Sequence, residues 1–329
     1  MAEVVFTFET FLTIVISLLI ITLNCLILMV ACWTHSFRNV NRCFLFSMIA
    51  SDLFMGIFVT PFSIFNSLYN KWIFNSNAFC YIEGYLTAIF LISGLYSLTW
   101  MNVDHYVAIR KPERYKVVMS APRSACWVIF AWIAAICFSC PPLFSLKKAR
   151  YYAEAFICVI DAKPQRYYFL TAGSLVTIPC VLTLVFTNVY LFTKSYQTRL
   201  NIYQRVFTDR ATRPWNYHIS MVVSVVYTAT WTPFCVLRLY EVAHNYQVYT
   251  PTLLHFYFFW LGISNSFIKF FIYLIMSREF RDGLYEVFNA GSLDCSCSGC
   301  ASSSSNVNIN HITNSKMDYM KSKEPLQNV

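Results

Sequence analysis

Seven stretches of this chain are apolar for roughly 20 residues each, the length of helix that crosses about 30 Å of hydrocarbon. They lie near Thr10 to Trp33, Phe44 to Tyr69, Gly84 to Val103, Ser124 to Leu146, Tyr167 to Phe192, Ile219 to Leu237 and Tyr249 to Met276. In lipid every backbone N–H and C=O must be bonded within its own segment, so such runs read as helices. Only 12% of the 329 residues are charged, against about 25% in soluble domains, which argues against a soluble globular fold. The first run is too long for a signal-peptide core and has no basic segment before it, so it is expected to be retained. The expected fold is an all-α membrane protein: a seven-transmembrane helix bundle with a short amphipathic eighth helix.

Lys and Arg accumulate in cytoplasmic loops, and this sets the expected orientation. The first loop carries Arg38 and Arg42; the third carries Arg110, Lys111, Arg114, Lys116 and Arg123; the fifth carries Lys194, Arg199, Arg205, Arg210 and Arg213. These loops belong inside, which places the N-terminus outside the cell membrane and the C-terminus in the cytoplasm. Lys147, Lys148, Arg150, Lys163 and Arg166 in the fourth loop run against this assignment but are outweighed. The net charge of +9 then describes mainly the cytoplasmic face, with membrane lipid as its partner and no nucleic acid. Residues 1–9 form a short extracellular segment, too short for a ligand-binding domain, and 10–276 form the bundle. Residues 277–289 place Phe280, Leu284, Val287 and Phe288 on one helical face against the inner leaflet, and the polar tail 290–329 is expected to be disordered.

Most of the 13 cysteines lie in apolar runs, where they act as small hydrophobes. Cys80 and Cys158 are both external in this orientation, where the redox environment permits a disulfide. Cys295, Cys297 and Cys300 follow the amphipathic segment, where thioesterified acyl chains reach the bilayer; zinc is the weaker reading, because no fourth ligand is evident. Lys269 stands in the otherwise uncharged run ending at Met276. A cation near mid-bilayer costs at least about 2.5 kcal/mol, so it must be paired or able to reach water.

The runs carry landmarks in a fixed order. These are Leu23-Asn24, Ser51-Asp52-Leu53, Trp72 eight residues before Cys80, Asp104-His105-Tyr106, Trp132 with Pro141-Pro142, Pro179, Trp231-Thr232-Pro233, and Trp260 through Asn265-Ser266 to Tyr273. Over about 280 residues this resembles the rhodopsin-class G-protein-coupled receptors, and within them a group of orphan receptors related to the amine receptors. The resemblance implies a receptor that passes an external small-molecule or peptide signal, or its own basal activity, to a heterotrimeric G protein, with arrestin as a further partner. It implies no cofactor, no metal and no enzymatic activity. It places the ligand among Thr87, Leu91, Trp231, Phe234, Arg238, Phe259 and Trp260. Thr87 stands where amine receptors have the Asp that holds the ligand ammonium. Arg238 either faces the pocket, suiting an acidic or hydrogen-bonding ligand, or snorkels to the outer interface.

The family's mid-membrane sodium site maps to Asp52, Asn265 and Ser266. Gly94 replaces the usual Ser there, and Lys269 replaces the usual Asn. Lys269 is four residues after Asn265 and shares its helical face, so its ammonium either takes the sodium position against Asp52 or points to cytoplasmic water. Coupling is assigned to Asp104, His105, Tyr106 and Tyr273. His105 replaces the family's Arg, and Arg213 lies near the place of its acidic partner, so the usual lock cannot form. His105 is either a pH-sensitive coupling element or a weak polar substitute. Thr187 stands where a Tyr is usual, and Phe270 where a Pro usually kinks helix seven. A weakly coupling or non-signalling ligand-binding receptor is therefore the alternative. A transporter is less favoured, since the chain has only eight Gly and no internal repeat.

Overall fold

The structure, a computed structural model, describes residues 7–33, 42–69, 77–139, 149–153, 155–160, 166–202, 217–244 and 251–297. Among these residues, seven helices are long and apolar enough to cross a membrane: Phe8–Trp33, Arg42–Tyr69, Ala78–Arg110, Ala121–Ser139, Gly173–Lys194, Tyr217–Ala243 and Leu253–Met276. The third and fifth lie within longer helices, Asn77–Arg110 and Arg166–Ile202. The third outruns its apolar stretch because the charges at its ends are taken inside the protein: Glu83 is 0% exposed and Asp104 1%.

Polar side chains tie the spans together where no water competes. Trp132 Nε1 of the fourth span donates to Ser47 Oγ of the second at 3.0 Å, and Ser47 is 2.7 Å from Ser97 of the third. Asn24 Nδ2 of the first span donates to the Ser266 carbonyl of the seventh at 3.0 Å. Asn188 Nδ2 of the fifth donates to Ser224 Oγ of the sixth at 2.8 Å. The second span widens into a π-turn at Met55–Val59, just before Pro61, which has no N–H to continue the ladder. The Thr60 hydroxyl covers one freed carbonyl, donating to Gly56 at 2.8 Å.

The fold departs from the all-helical expectation at one hairpin. Strands β1 (Ala149–Tyr152) and β2 (Ile157–Ile160) pair antiparallel, with Tyr151 opposite Cys158. A disulfide from Cys158 to Cys80 anchors this hairpin to the start of the third span. Between the strands Phe156 adopts a positive φ of 55°, uncommon for a bulky side chain, and its ring is 7% exposed. Ala155, Phe156 and Ile157 are buried in a cluster with Ile20, Phe256, Phe259, Trp260 and Ile263. Trp260 Nε1 donates to the Ala155 carbonyl at 3.3 Å, and the Phe156 and Phe256 rings meet edge to face at 5.9 Å. The bridge closes a 78-residue separation. Replacing Cys158 by Ser is expected to lower stability by about 2–5 kcal/mol, read as a fall in the thermal unfolding midpoint that added reductant reproduces in the wild type.

The seventh span ends at Ser277, which is extended and caps the next helix, Arg278–Cys297: its Oγ accepts the Phe280 N–H at 3.1 Å. Arg281 Nη1 donates to the carbonyls of Leu274 and Ile275 at 2.9 and 3.0 Å, satisfying the end of the seventh span. Phe280 is fully buried against Phe270, 5.5 Å away edge to face, so the residue that replaces the usual proline becomes the seat of the amphipathic helix. Leu284 and Val287 pack on the bundle core, whereas Phe288 is 60% exposed. The helix runs on to Cys297 and does not close near residue 289. By backbone proximity the chain divides into Met1–Val287 and Phe288–Val329, and in the second unit the described residues are the helical ones to Cys297. Cys300 and the rest of the expected tail lie outside the described residues, as do Trp72, Pro141, Pro142 and Arg213.

Candidate functional site

Midway along the bundle, Lys269 of the seventh span forms an ion pair with Asp52 Oδ2 of the second. The lysine side chain is 2% exposed and the aspartate side chain 17%. Ser266 Oγ donates to the other carboxylate oxygen, Oδ1, at 2.7 Å. Because Ser266 also offers its carbonyl to Asn24, the group joins the first, second and seventh spans. The cavity beside it, lined by Ser51, Asp52, Gly94, Asn265 and Ser266 among others, holds about 20 Å³. That is space for little more than one water. A Cβ on Gly94 would meet Ser51 Oγ at 3.1 Å, so the glycine leaves the third span close to this group. Of the two readings of Lys269, the geometry is that of the pair.

Nearer the hairpin, Leu91, Trp231 and Phe234 line a cavity of about 340 Å³ between the third, fifth and sixth spans. The other four expected pocket residues lie elsewhere. Thr87 is 6% exposed and gives its hydroxyl to the Glu83 carbonyl at 2.8 Å. Phe259 and Trp260 belong to the aromatic cluster that receives the hairpin. Arg238 is not among the residues that line this cavity: its Nη1 is 2.8 Å from Glu241 Oε2, and Glu241 Oε1 is 2.5 Å from His255 Nε2. Gly262 is required here, since a Cβ would meet the Trp231 ring at 2.7 Å; the glycine lets that ring lie against the seventh span.

At the opposite end of the bundle Asp104 and His105 are 1% and 5% exposed. Tyr115, on the short helix Pro112–Val118, donates to Asp104 Oδ1 and Oδ2 at 3.1 and 3.2 Å. Burial and the neighbouring carboxylate hold the Tyr115 phenol above its usual value. A raised value means that this contribution to stability is complete below the ordinary phenol range and is lost only as pH rises through the folded value, so the bond persists across neutral pH. Tyr115→Phe is expected to cost about 1.5–3 kcal/mol, the range for a bond to a charged acceptor, toward the lower end because the group is only part-buried. Thermal unfolding at neutral pH reads this loss. Tyr106 meets Tyr190 edge to face at 4.8 Å, and Tyr273 packs on Phe280 at 5.8 Å.

This arrangement agrees with what the chain matches. The model of the seven-transmembrane receptor (rhodopsin family) domain covers residues 23–273. The chain belongs to the rhodopsin family of seven-transmembrane receptors. It is 24% identical over 302 residues to the histamine H2 receptor of Cavia porcellus, spanning 88% of this chain and 79% of that one. It is 24% identical over 291 residues to the alpha-1A adrenergic receptor of Oryzias latipes, 78% and 61% of the two chains. With 5-hydroxytryptamine receptor 6 of Mus musculus it shares 24% over 295 residues, 79% and 66%. These relatives are receptors, not enzymes.

Sequence reasoning passed over three groups of the receptor. Glu83, one turn before Thr87, faces the Cys158 backbone without completing hydrogen-bond geometry at either oxygen. Glu241 and His255 are 6% and 7% exposed. A carboxylate within a turn or two of the end of an apolar run reads as interfacial, and a single histidine reads as neutral. The signal available was a basic residue, Arg238, three positions before an acid on one helix face.

Proposed function

We propose that this receptor carries an external small-molecule or peptide signal to a heterotrimeric G protein, and that its own lysine replaces the diffusible cation of the family's sodium site. The N-terminus is extracellular and the tail cytoplasmic, in keeping with the basic first, third and fifth loops and with a disulfide at the hairpin end, where the medium is oxidising. The observation that carries the reading is the Lys269–Asp52 pair with Ser266. In a two-state bundle, a cation that favours one arrangement of the second and seventh spans biases the equilibrium by its differential interaction with the two states. A sodium ion does this in proportion to its concentration; a tethered ammonium does it at all concentrations.

The amine ligands named for the relatives do not transfer directly. Thr87 offers no counter-ion, so a monoamine has no carboxylate at that position. At the cytoplasmic end Asp104, His105, Tyr106 and Tyr273 form the coupling surface, with Tyr115 bonded to Asp104. Cys295, Cys297 and Cys300 are the acylation sites, and arrestin is a further partner. The test is basal second-messenger output in cells expressing the wild type, His105→Arg and Lys269→Asn. His105→Arg is expected to raise coupling, and Lys269→Asn to make output sodium-dependent. Silence of all three variants in every G-protein pathway, with each at the cell surface, would instead support a non-signalling binding role.

A further inference from the structure

The 340 Å³ cavity lies at the small end of the range for small-molecule sites, about 300–1,000 Å³, and among the described residues its walls carry no ionisable acid or base of the Asp, Glu, Lys, Arg or His kind. Its inner wall is buried, with Leu95 at 9% exposure, Val176 at 4% and Leu184 at 2%. Its outer rim is not: Thr177, Thr232, Cys235 and Val236 are all exposed. These four positions lie on the flank of the fifth and sixth spans beside Leu175, Ile178 and Leu239, each more than half exposed. On a spanning helix such a flank meets hydrocarbon, so the mouth of the cavity faces lipid.

On the hairpin side, Trp231 and Phe234, which line the cavity, pack on the aromatic cluster that also holds Ala155, Phe156 and Ile157 of the disulfide-anchored hairpin. Two described carboxylates on the hairpin side do not line the cavity. Glu83 is 0% exposed and absent from the lining, and Glu241 is engaged by Arg238 and His255. A cation entering this chamber would shed its water and meet no anion among the described lining residues, a cost of several kcal/mol. A neutral apolar molecule loses nothing by leaving hydrocarbon and gains close packing against rings.

Resting on the receptor reading above, we infer that the ligand is a neutral, membrane-partitioning small molecule that enters between the fifth and sixth spans from the bilayer. The threonine hydroxyls at the rim and Tyr227 within are the polar groups available to orient one hydroxyl or carbonyl on it.

The experiment is photolabelling of the full chain in lipid nanodiscs with the apolar aryl diazirine 3-(trifluoromethyl)-3-(m-iodophenyl)diazirine, read by peptide mass spectrometry. The expected result is saturable labelling at Leu91 and Tyr227, displaced by an excess of the probe's non-photoreactive analogue and untouched by histamine, a water-soluble cation. Cys235→Trp and Val236→Trp, both at exposed positions that tolerate bulk, are each expected to abolish that labelling. Labelling at the lipid-facing Ile178 and Leu182 should continue to rise in proportion to probe. Three results overturn the inference: labelling of Tyr227 only in proportion to probe, as when bulk acyl chains fill the cavity; displacement by histamine; or retention of saturable labelling in both tryptophan variants. Labelling needs no G protein, so it succeeds or fails independently of the signalling assay.

Discussion

Lys269→Met is expected to destabilise the receptor by about 3 kcal/mol and Asp52→Asn by more, within the range of about 3–5 kcal/mol for breaking a buried pair. The order follows from exposure. Removing the lysine leaves a carboxylate whose side chain is 17% exposed and still accepts a bond from Ser266. Removing the aspartate leaves an ammonium that is 2% exposed, and the cavity beside Asp52 has space for little more than one water. The measurement is thermal unfolding of purified receptor in matched detergent, and equal losses for the two variants would argue against the pair as drawn. Asp52→Asn with Lys269→Met removes both charges together, so the double variant should lose less than the sum of the singles. Sodium gives a second axis. The wild-type midpoint should not move with sodium at constant ionic strength, whereas Lys269→Asn, which reopens the carboxylate to a diffusible cation, should gain stability as sodium rises.

The seven spans were legible because a lipid solvent leaves the sequence little choice: long apolar runs must be helices. Lys269 was legible as a problem for the same reason, and its partner was the one carboxylate expected at its depth. The disulfide partners also followed from position along the chain, whereas Phe280, expected against the inner leaflet, is buried on Phe270. What the sequence did not disclose depended on side chains crossing between helices. Asp104 accepts from Tyr115, eleven residues on in a short helix that reads as loop. The pocket split in two, because no pattern indicates that residues 155–157 of a basic loop turn inward and take the space beside Phe259 and Trp260. Arg238 was read as either pocket or interface, and the true alternative was an acid on its own helix face, since Glu241 lay just past the end of the apolar run.

That acid sets the second large effect. Glu241→Leu is expected to cost about 3–5 kcal/mol, because one carboxylate serves Arg238 at 2.8 Å on its own helix and His255 at 2.5 Å on the next. Glu241→Gln, which keeps the shape and one acceptor oxygen, should cost clearly less. A Gln variant as damaged as the Leu variant would mean that packing, not charge, holds the cluster. Charged groups thus clamp the seventh span at two places, to the sixth at His255 and to the second at Lys269. The two residues are fourteen apart, roughly 21 Å along the helix at 1.5 Å per residue. At that distance Glu241→Leu and Lys269→Met should add to within about 0.5 kcal/mol in unfolding. Signalling is the sharper test. If the seventh span shifts as one body between the receptor's states, both clamps bias the same equilibrium, and the double variant should change basal output by the product of the single effects, not by their sum. An output set entirely by Lys269→Met, whatever stands at 241, would confine the switch to the lysine end of the helix.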